Sequence, residues 1–478
     1  MPRRSVDLHG QDGSSFADGM RAIDDQFNVP QGFPPEVLAE ASQAAGSPRL
    51  PDRDLTDVPL VTIDPAGSRD LDQAMHLERV GSGFRVFYAI ADVAAFVAAD
   101  GSIDVEAHKR GQTLYAPDHR IPLHPLSLSE GAASLLPGQL RPALVWCIDL
   151  DSSGETTDVN VVRARVKSRA QLDYEGVHQQ LSAGTADAVL VLLKRVGELR
   201  LQREQDRGGV SLNLPEQQVV VSGRSWSLDY RDVLPVEQWN AQISLLTGMA
   251  CADLMVRGRV GILRTLPTAP DWAIKHLRRT AAALHLSWGE NLGYADFARS
   301  IDPNTPSGAA MLNACTSLLR GAGYVAFDGH VPADAGHAAV AAPYAHTTAP
   351  LRRLVDRYAG EVAVALSAGK DVPDWATAKL AALPKEMEES DQRAHQFDSA
   401  VVSLVEAGVL ESRVGQPFSG VITETDEKEP TKGSVMLRDP AVEATVSSTA
   451  GPLPLGEEVR VTLVEADRAK RLVRFELS

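Results

Sequence analysis

The sequence predicts an α+β fold: a large domain of mixed sheet and helices, preceded by a short mainly helical segment and followed by a small all-β barrel of the OB-fold type. Three observations predict it. Across residues 60–166, runs rich in β-branched and aromatic residues are separated by turn signals, the texture of strands. Over residues 185–207, Val189, Leu192, Leu193, Val196 and Leu199 recur at three- and four-residue spacing, the texture of a helix, and helices dominate from Val236 to Leu410. From Gly415, five short apolar or alternating runs, punctuated by Gly and Pro, lie within about 60 residues, as in a five-stranded Greek-key barrel. The domain boundaries that follow are 1–48, 49–410 and 415–478.

In chain order, residues 18–27 and 35–45 are expected as helices, with Pro35 suited to a first helical position. Residues 46–59 read as a turn-rich linker. Strands are expected at 84–93, 144–150 and 159–166, the last two parted by Asp151-Ser152-Ser153-Gly154. A helix over 185–207 follows, then short strands at 211–214 and 218–221, ending near Gly223. Further helices are expected at 236–257, 273–284, 307–319, 351–368 and 385–410. The barrel strands fall at 418–423, 434–437, 444–446, 458–465 and 472–477.

Charge narrows the function classes. With 47 basic and 63 acidic residues the chain carries a formal net charge of −16. Non-specific coating of nucleic acid rests on phosphate neutralisation by Lys and Arg, so this composition leaves room only for a channel with its own basic lining. Arg257, Arg259, Arg264, Arg278, Arg279, Arg352, Arg353 and Arg357 are the candidates for it. Cys147, Cys251 and Cys315 lie far apart, which excludes a zinc ribbon or a disulfide framework and reads as buried thiols in a reducing compartment. The opening MPRRSVDLHG has no apolar stretch, and the run over 188–193 is too short to cross a bilayer. The expectation is a cytoplasmic monomer with no membrane partner.

Residues 62–73 read TIDPAGSRDLDQ and carry Asp64, Asp70 and Asp72, with a turn at Pro65-Ala66-Gly67-Ser68. Carboxylates crowded this way repel one another unless a cation sits among them, and hard divalent ions prefer oxygen ligands. Two such ions roughly 3.5–4 Å apart are the standard clamp for phosphoryl transfer. The stretch therefore points to a metal-dependent phosphodiesterase, with an acidic surface turn as the alternative. Residues 338–358 read AAVAAPYAHTTAPLRRLVDRY. Pro350 suits a helix start with Thr347 and Thr348 upstream as caps, which puts Arg352 on the first turn with Arg353 beside it. A helix N-terminus and a guanidinium both suit phosphate oxygens; pairing of the arginines with Asp356 is the alternative. In RGQTLYAPDHRIPLHP, residues 110–125, Tyr115 either stacks on a base or plugs its loop onto the core. His337 and His346 form no metal pattern, and His346 is expected as a hydrogen-bonding residue within reach of RNA. There is no GxSxG elbow and no Walker loop.

TIDPAGSRDLDQA, FYAIADV, RGQTLYAPDHRIPLHPLSLSEGAASLLPGQLRPAL, LNLPEQQV and GHAAVAAPYAHTTAPLRRLVDRY occur in one order over about 350 residues. As a set they resemble the RNB catalytic domain of the ribonuclease II and ribonuclease R family, and the closing barrel fits the S1-type domain that follows it there. The resemblance implies a processive 3′→5′ exoribonuclease that threads single-stranded RNA through a channel and releases 5′-nucleoside monophosphates. It implies Mg2+ as cofactor, one or two ions, with Mn2+ as a substitute. Asp64, Asp70 and Asp72 match acidic positions of the family's magnesium site, Asp70 and Asp72 with a part in catalysis. Tyr115 matches the aromatic that packs on the 3′-terminal nucleotide, and Arg352 the arginine at the scissile region. Glu237 matches a glutamate near the terminal ribose and Asp398 an acidic position of the last helix.

Two departures stand out. The family usually ends its acidic motif with two adjacent aspartates, whereas Gln73 follows Asp72 here. A Gln oxygen can still ligate magnesium, without charge. Family members also usually carry cold-shock barrels ahead of the motif, and the leading segment is too short and too helical for two. The competing class is a catalytically weakened RNB-fold protein that binds RNA or regulates, with Gln73 as the feature in its favour.

Overall fold

The acidic turn lies between the first two strands of a six-stranded sheet. In the computed structural model, which describes residues 14–212, 216–222, 225–231 and 233–477, these are β1 (Val61–Asp64) and β2 (Gln73–Val80). The strand β3 (Gly83–Ala91) follows, then a separate two-stranded hairpin of β4 (Leu114–Tyr115) and β5 (Arg120–Ile121). The sheet is completed by β6 (Leu140–Leu150), β7 (Thr156–Lys167) and β8 (Ala170–Asp173) in the order β7-β6-β3-β2-β1-β8. Within this six-stranded sheet the β1–β8 pair is parallel and the other pairs are antiparallel. Alternation along β3 sends Phe84, Val86, Tyr88 and Ile90 into one core, and Ala89 and Ala91 into another. In β6, Leu144, Trp146, Ile148 and Leu150 join the first core, Ala143 and Val145 the second. The helices Ala188–Asp206, Pro235–Gly258 and Leu354–Ser367 cover the first face.

The strands expected at 84–93, 144–150 and 159–166 are β3, β6 and β7. The first stops short because Asp92 leaves the sheet to accept from Arg163 on β7, Nε to Oδ2 at 2.6 Å. Residues 211–212 carry no strand, while Asn213, Leu214 and Gly223 lie outside the described residues, as does MPRRSVDLHG. The expected strand at 218–221 lies inside Glu216–Ser222. Strands β1, β2 and β8 escape periodicity, being short and interrupted by the polar turn. The thiols of Cys251 and Cys315 are buried, but Cys147 is only half-buried.

The leading segment folds as α1 (Ser14–Gln26) and α2 (Pro35–Gly46). Phe16, Met20 and Ile23 share one core with Phe397, Val401 and Leu404 of the helix Leu383–Leu410, and with Leu114 and Ile121 of the β4–β5 hairpin. His119 of that hairpin's turn stands 3.3 Å from Asp24, and the Arg110 guanidinium lies 3.8 Å over the Phe33 ring. The segment thus braces the hairpin that presents Tyr115. A Cβ on Gly408 would collide with the Phe16 ring. We therefore expect Gly408→Val to cost about 1–3 kcal/mol by overpacking, read as a lowered urea midpoint.

The barrel closes from Pro417–Thr425, Lys432–Leu437, Val442–Ser447, Leu472–Leu477 and Glu458–Asp467, around Phe418, Ile422, Val461 and Phe475. No helix of the described residues is long and apolar enough to cross a membrane. Two of the arginines expected to line a channel instead hold the fold together. Arg357 is buried against Asp104, and Arg278 donates to the backbone carbonyls of Trp288, Gly289, Glu290 and Leu292.

Candidate active site

Two chain segments meet to form the site. The acidic turn is tied down by its own backbone: Ser68 N–H donates to Pro65 O at 3.1 Å, and Gly67 takes φ 84°, a left-handed conformation open to glycine. Ser134 clamps its far limb, accepting from Leu71 N–H at 3.0 Å and donating to Arg69 O at 2.6 Å. Asp64 ends β1 and Asp72 precedes β2, so the sheet sets the position of both.

The second segment is 344–353. Sequence reading starts a helix at Pro350, but the helix begins at Leu354, with Arg353 extended at φ −143° and ψ 123°. The reason is tertiary hydrogen bonding. Ala349 N–H donates to Asp356 Oδ1 at 2.7 Å, Thr113 N–H to Arg352 O at 2.9 Å, and Leu354 N–H to Gly111 O at 2.9 Å. These bonds hold 349–353 as a turn stitched to the Tyr115 segment. Arg352 therefore precedes the helix, and Thr347 and Thr348 do not cap it. Arg353 makes a two-pronged contact with Asp356, as the alternative reading had it.

The two segments join at Asp72. Its side chain is buried, accepts from Leu351 N–H at 2.7 Å, and faces Arg352 Nε across 3.6 Å. Burial pushes its carboxyl well above the usual range, against the pull of Arg352 and the Leu351 N–H. Burial likewise pushes Asp64 up to about 6, with Arg352 pulling down and Asp70 pushing up. Asp70 accepts from the Tyr115 hydroxyl and from Arg120, each at 3.3 Å. Tyr115 itself is 44% exposed, so it does not plug its loop onto the core. The Arg352 side chain is 45% exposed, so its contact with Asp72 does not close it off from solvent.

The structure thus brings together Asp64, Asp70, Asp72, Tyr115 and Arg352. Gln73 lies beside them, but its amide is engaged: Tyr88 Oη donates to Oε1 at 2.6 Å, and Nε2 donates to Thr348 O at 2.7 Å. Glu237 belongs to another network, accepting from Arg231 at 2.6 and 3.0 Å and from Leu234 N–H at 2.9 Å, the work of a helix cap. His346 Nδ1 bonds Tyr324 Oη at 2.7 Å, and burial holds its pKa well below the ordinary value. Asp398 is exposed on Leu383–Leu410, two turns beyond Asp391, which pairs with Arg264 at 2.8 Å. Sequence reasoning missed Arg120, Ser134 and Tyr88. All three lie inside motifs that pointed to the family, but their roles appear only once strands are paired.

Whether these residues fit a divalent ion is decided by two observations. Asp64 Oδ2 is buried without a hydrogen-bond partner, an oxygen left free for a ligand. Among the described residues no group of three or more His, Cys, Asp or Glu side chains is placed to hold an ion, and Asp72 is engaged by Leu351 N–H. Asp64 and Asp70 fit a magnesium-type ion of that kind, which takes one or two carboxylates and completes its shell with water and substrate phosphate.

The RNB domain family matches residues 52–362, and the RNase II-type exonuclease C-terminal S1 domain matches residues 416–478. Ribonuclease R of Acidithiobacillus ferrooxidans is 38% identical over 167 residues, 34% of this chain and 37% of that protein. Ribonuclease R of Escherichia coli (strain K12) is 28% identical over 398 residues, 77% of this chain and 48% of that protein. The chain therefore spans less than half the length of these curated relatives. Apo Mycoplasma genitalium RNase R shares the fold with a TM-score of 0.85 at 18% identity, over 96% of this chain and 77% of that one. Yeast Ssd1, a pseudonuclease, shares it with a TM-score of 0.72 at 15% identity, over 96% of this chain and 58% of that one.

Proposed function

The chain belongs to the RNB domain family, and from that premise we propose that it is a 3′→5′ exoribonuclease that hydrolyses single-stranded RNA processively to 5′-nucleoside monophosphates. The observation that carries this reading is the junction of Asp72 with Leu351 N–H and Arg352, which sets a phosphate-gripping cation against an acidic turn. The catalytic unit is assigned to 49–410 and an RNA-binding barrel to 415–478; the enzyme works as a cytoplasmic monomer.

Asp64 and Asp70 are the residues that would hold magnesium, which when bound polarises the scissile phosphate and lowers the pKa of attacking water. Arg352 grips phosphate oxygens through its exposed guanidinium and stabilises the charge that builds in the transition state. Asp72 fixes that guanidinium in place, through its contact with Nε and its bond to Leu351 N–H. Tyr115, anchored through its hydroxyl to Asp70, offers its ring to the last base, so that cleavage proceeds one nucleotide at a time. Tyr115→Ala is expected to weaken single-stranded RNA binding by about 1–3 kcal/mol in fluorescence anisotropy, with the unfolding midpoint unchanged.

A second reading, an RNA-binding pseudonuclease, is favoured by Gln73 in place of a carboxylate. Single-stranded RNA incubated with the protein and Mg2+ decides between them. Release of mononucleotides that EDTA suppresses supports the nuclease; tight binding without turnover supports the pseudonuclease.

A further inference from the structure

We propose that Gln73 is a latch that holds the Arg352 loop against the acidic turn, and that it is not a metal ligand. The kinetic part of this inference rests on the nuclease reading above; the binding part does not. Gln73 opens β2 and pairs with Ile90 of β3, which places Tyr88 diagonally beside it on the same face. Tyr88 is fully buried, and its hydroxyl donates to Gln73 Oε1 at 2.6 Å. On the other side Nε2 donates to Thr348 O at 2.7 Å. A backbone carbonyl only accepts, so the amide orientation is fixed by its partner: nitrogen towards the loop, oxygen towards Tyr88.

The bond spans 275 residues of sequence and fixes the loop four residues before Arg352. Thr348 is held from its other side as well, its hydroxyl 2.9 Å from that of Ser244 on the helix Pro235–Gly258. With Asp72 binding Leu351 N–H, two consecutive residues of the acidic stretch grip the loop, one as acceptor and one as donor. A carboxylate at 73 has no proton to give Thr348 O and would face it with like charge. The neutral amide is the group that satisfies both neighbours. The departure from the family's acidic pattern then exchanges a charge at the site for a tether on the loop that carries the phosphate-binding arginine.

The test uses the full chain, three single variants, and Gln73→Met repeated in an Arg352→Ala background. Gln73→Met keeps the volume and removes both bonds; Tyr88→Phe removes one hydroxyl and serves as a check if Gln73→Met fails to fold. Asp64→Asn is the metal-ligand reference. Mn2+ affinity is read by electron paramagnetic resonance, single-stranded RNA affinity in EDTA by anisotropy, and cleavage by single turnover. The expected result is Mn2+ affinity within about twofold of wild type for Gln73→Met and Tyr88→Phe, but about tenfold weaker for Asp64→Asn. RNA affinity in EDTA falls about 3–10-fold for Gln73→Met and less for Tyr88→Phe. Single-turnover cleavage falls about tenfold for Gln73→Met, and that loss shrinks when Arg352 is already Ala, since the two residues act as a unit. Mn2+ affinity lost in Gln73→Met as far as in Asp64→Asn, or RNA affinity left unchanged, overturns the latch. If the wild type turns over no RNA, the nuclease reading fails, and the Mn2+ and EDTA measurements still decide the role of Gln73.

Discussion

Replacing Asp72 by Asn is expected to lower RNA cleavage at least ~10²-fold, the scale seen when one preorganised electrostatic contact is removed from an active site. The substitution is close to isosteric. An Asn oxygen can still accept the Leu351 N–H that Asp72 Oδ1 accepts at 2.7 Å, so the junction of the two segments survives. What disappears is the negative charge 3.6 Å from Arg352 Nε, and with it the force that orients the guanidinium. Single-stranded RNA affinity, measured in EDTA, is expected to stay within about threefold of wild type, because the phosphate-gripping cation remains and one carboxylate fewer repels the backbone. Equal turnover by wild type and Asp72→Asn would remove Asp72 from the chemistry.

Arg352→Ala is expected to cost about 10²–10³-fold in single-turnover rate, and RNA affinity as well. Asp64, Asp70 and Asp72 all sense this one cation, whose pull opposes the burial that raises Asp64 and Asp72. Removing it leaves three crowded carboxylates facing an incoming phosphate. Arg352→Lys restores the charge but not the fork, so it should recover binding more than rate. Rescue of both to wild-type levels by Lys would show that a point charge suffices there and that guanidinium geometry is dispensable.

Much of this arrangement was legible in the sequence because its signals are local. TIDPAGSRDLDQ crowds its carboxylates within one turn, and the barrel strands alternate between Gly and Pro breaks. The start of the Arg352 helix was not legible. Pro350 satisfies every local rule for a first helical position, yet Asp356 takes Ala349 N–H, and the 111–113 segment takes Arg352 O and Leu354 N–H. Partners some 240 residues away outweigh local preference there. Glu237 is placed near the terminal ribose by the resemblance alone; in the fold its carboxylate accepts from Arg231 and from Leu234 N–H, as a helix cap does. The role of Gln73 needed both Tyr88, 15 residues on, and Thr348, 275 residues on, and no pattern in one dimension connects the three.

The central claim is that the acidic turn and the Arg352 loop form one exonucleolytic site working from the 3′ end. Digestion of one single-stranded RNA, labelled at the 3′ end in one sample and at the 5′ end in the other, tests it most directly. With Mg2+ present, the first product carrying the 3′ label should be a mononucleotide, while the 5′-labelled strand shortens step by step to a small end product. Internal fragments appearing first, or RNA bound and never shortened, would contradict it.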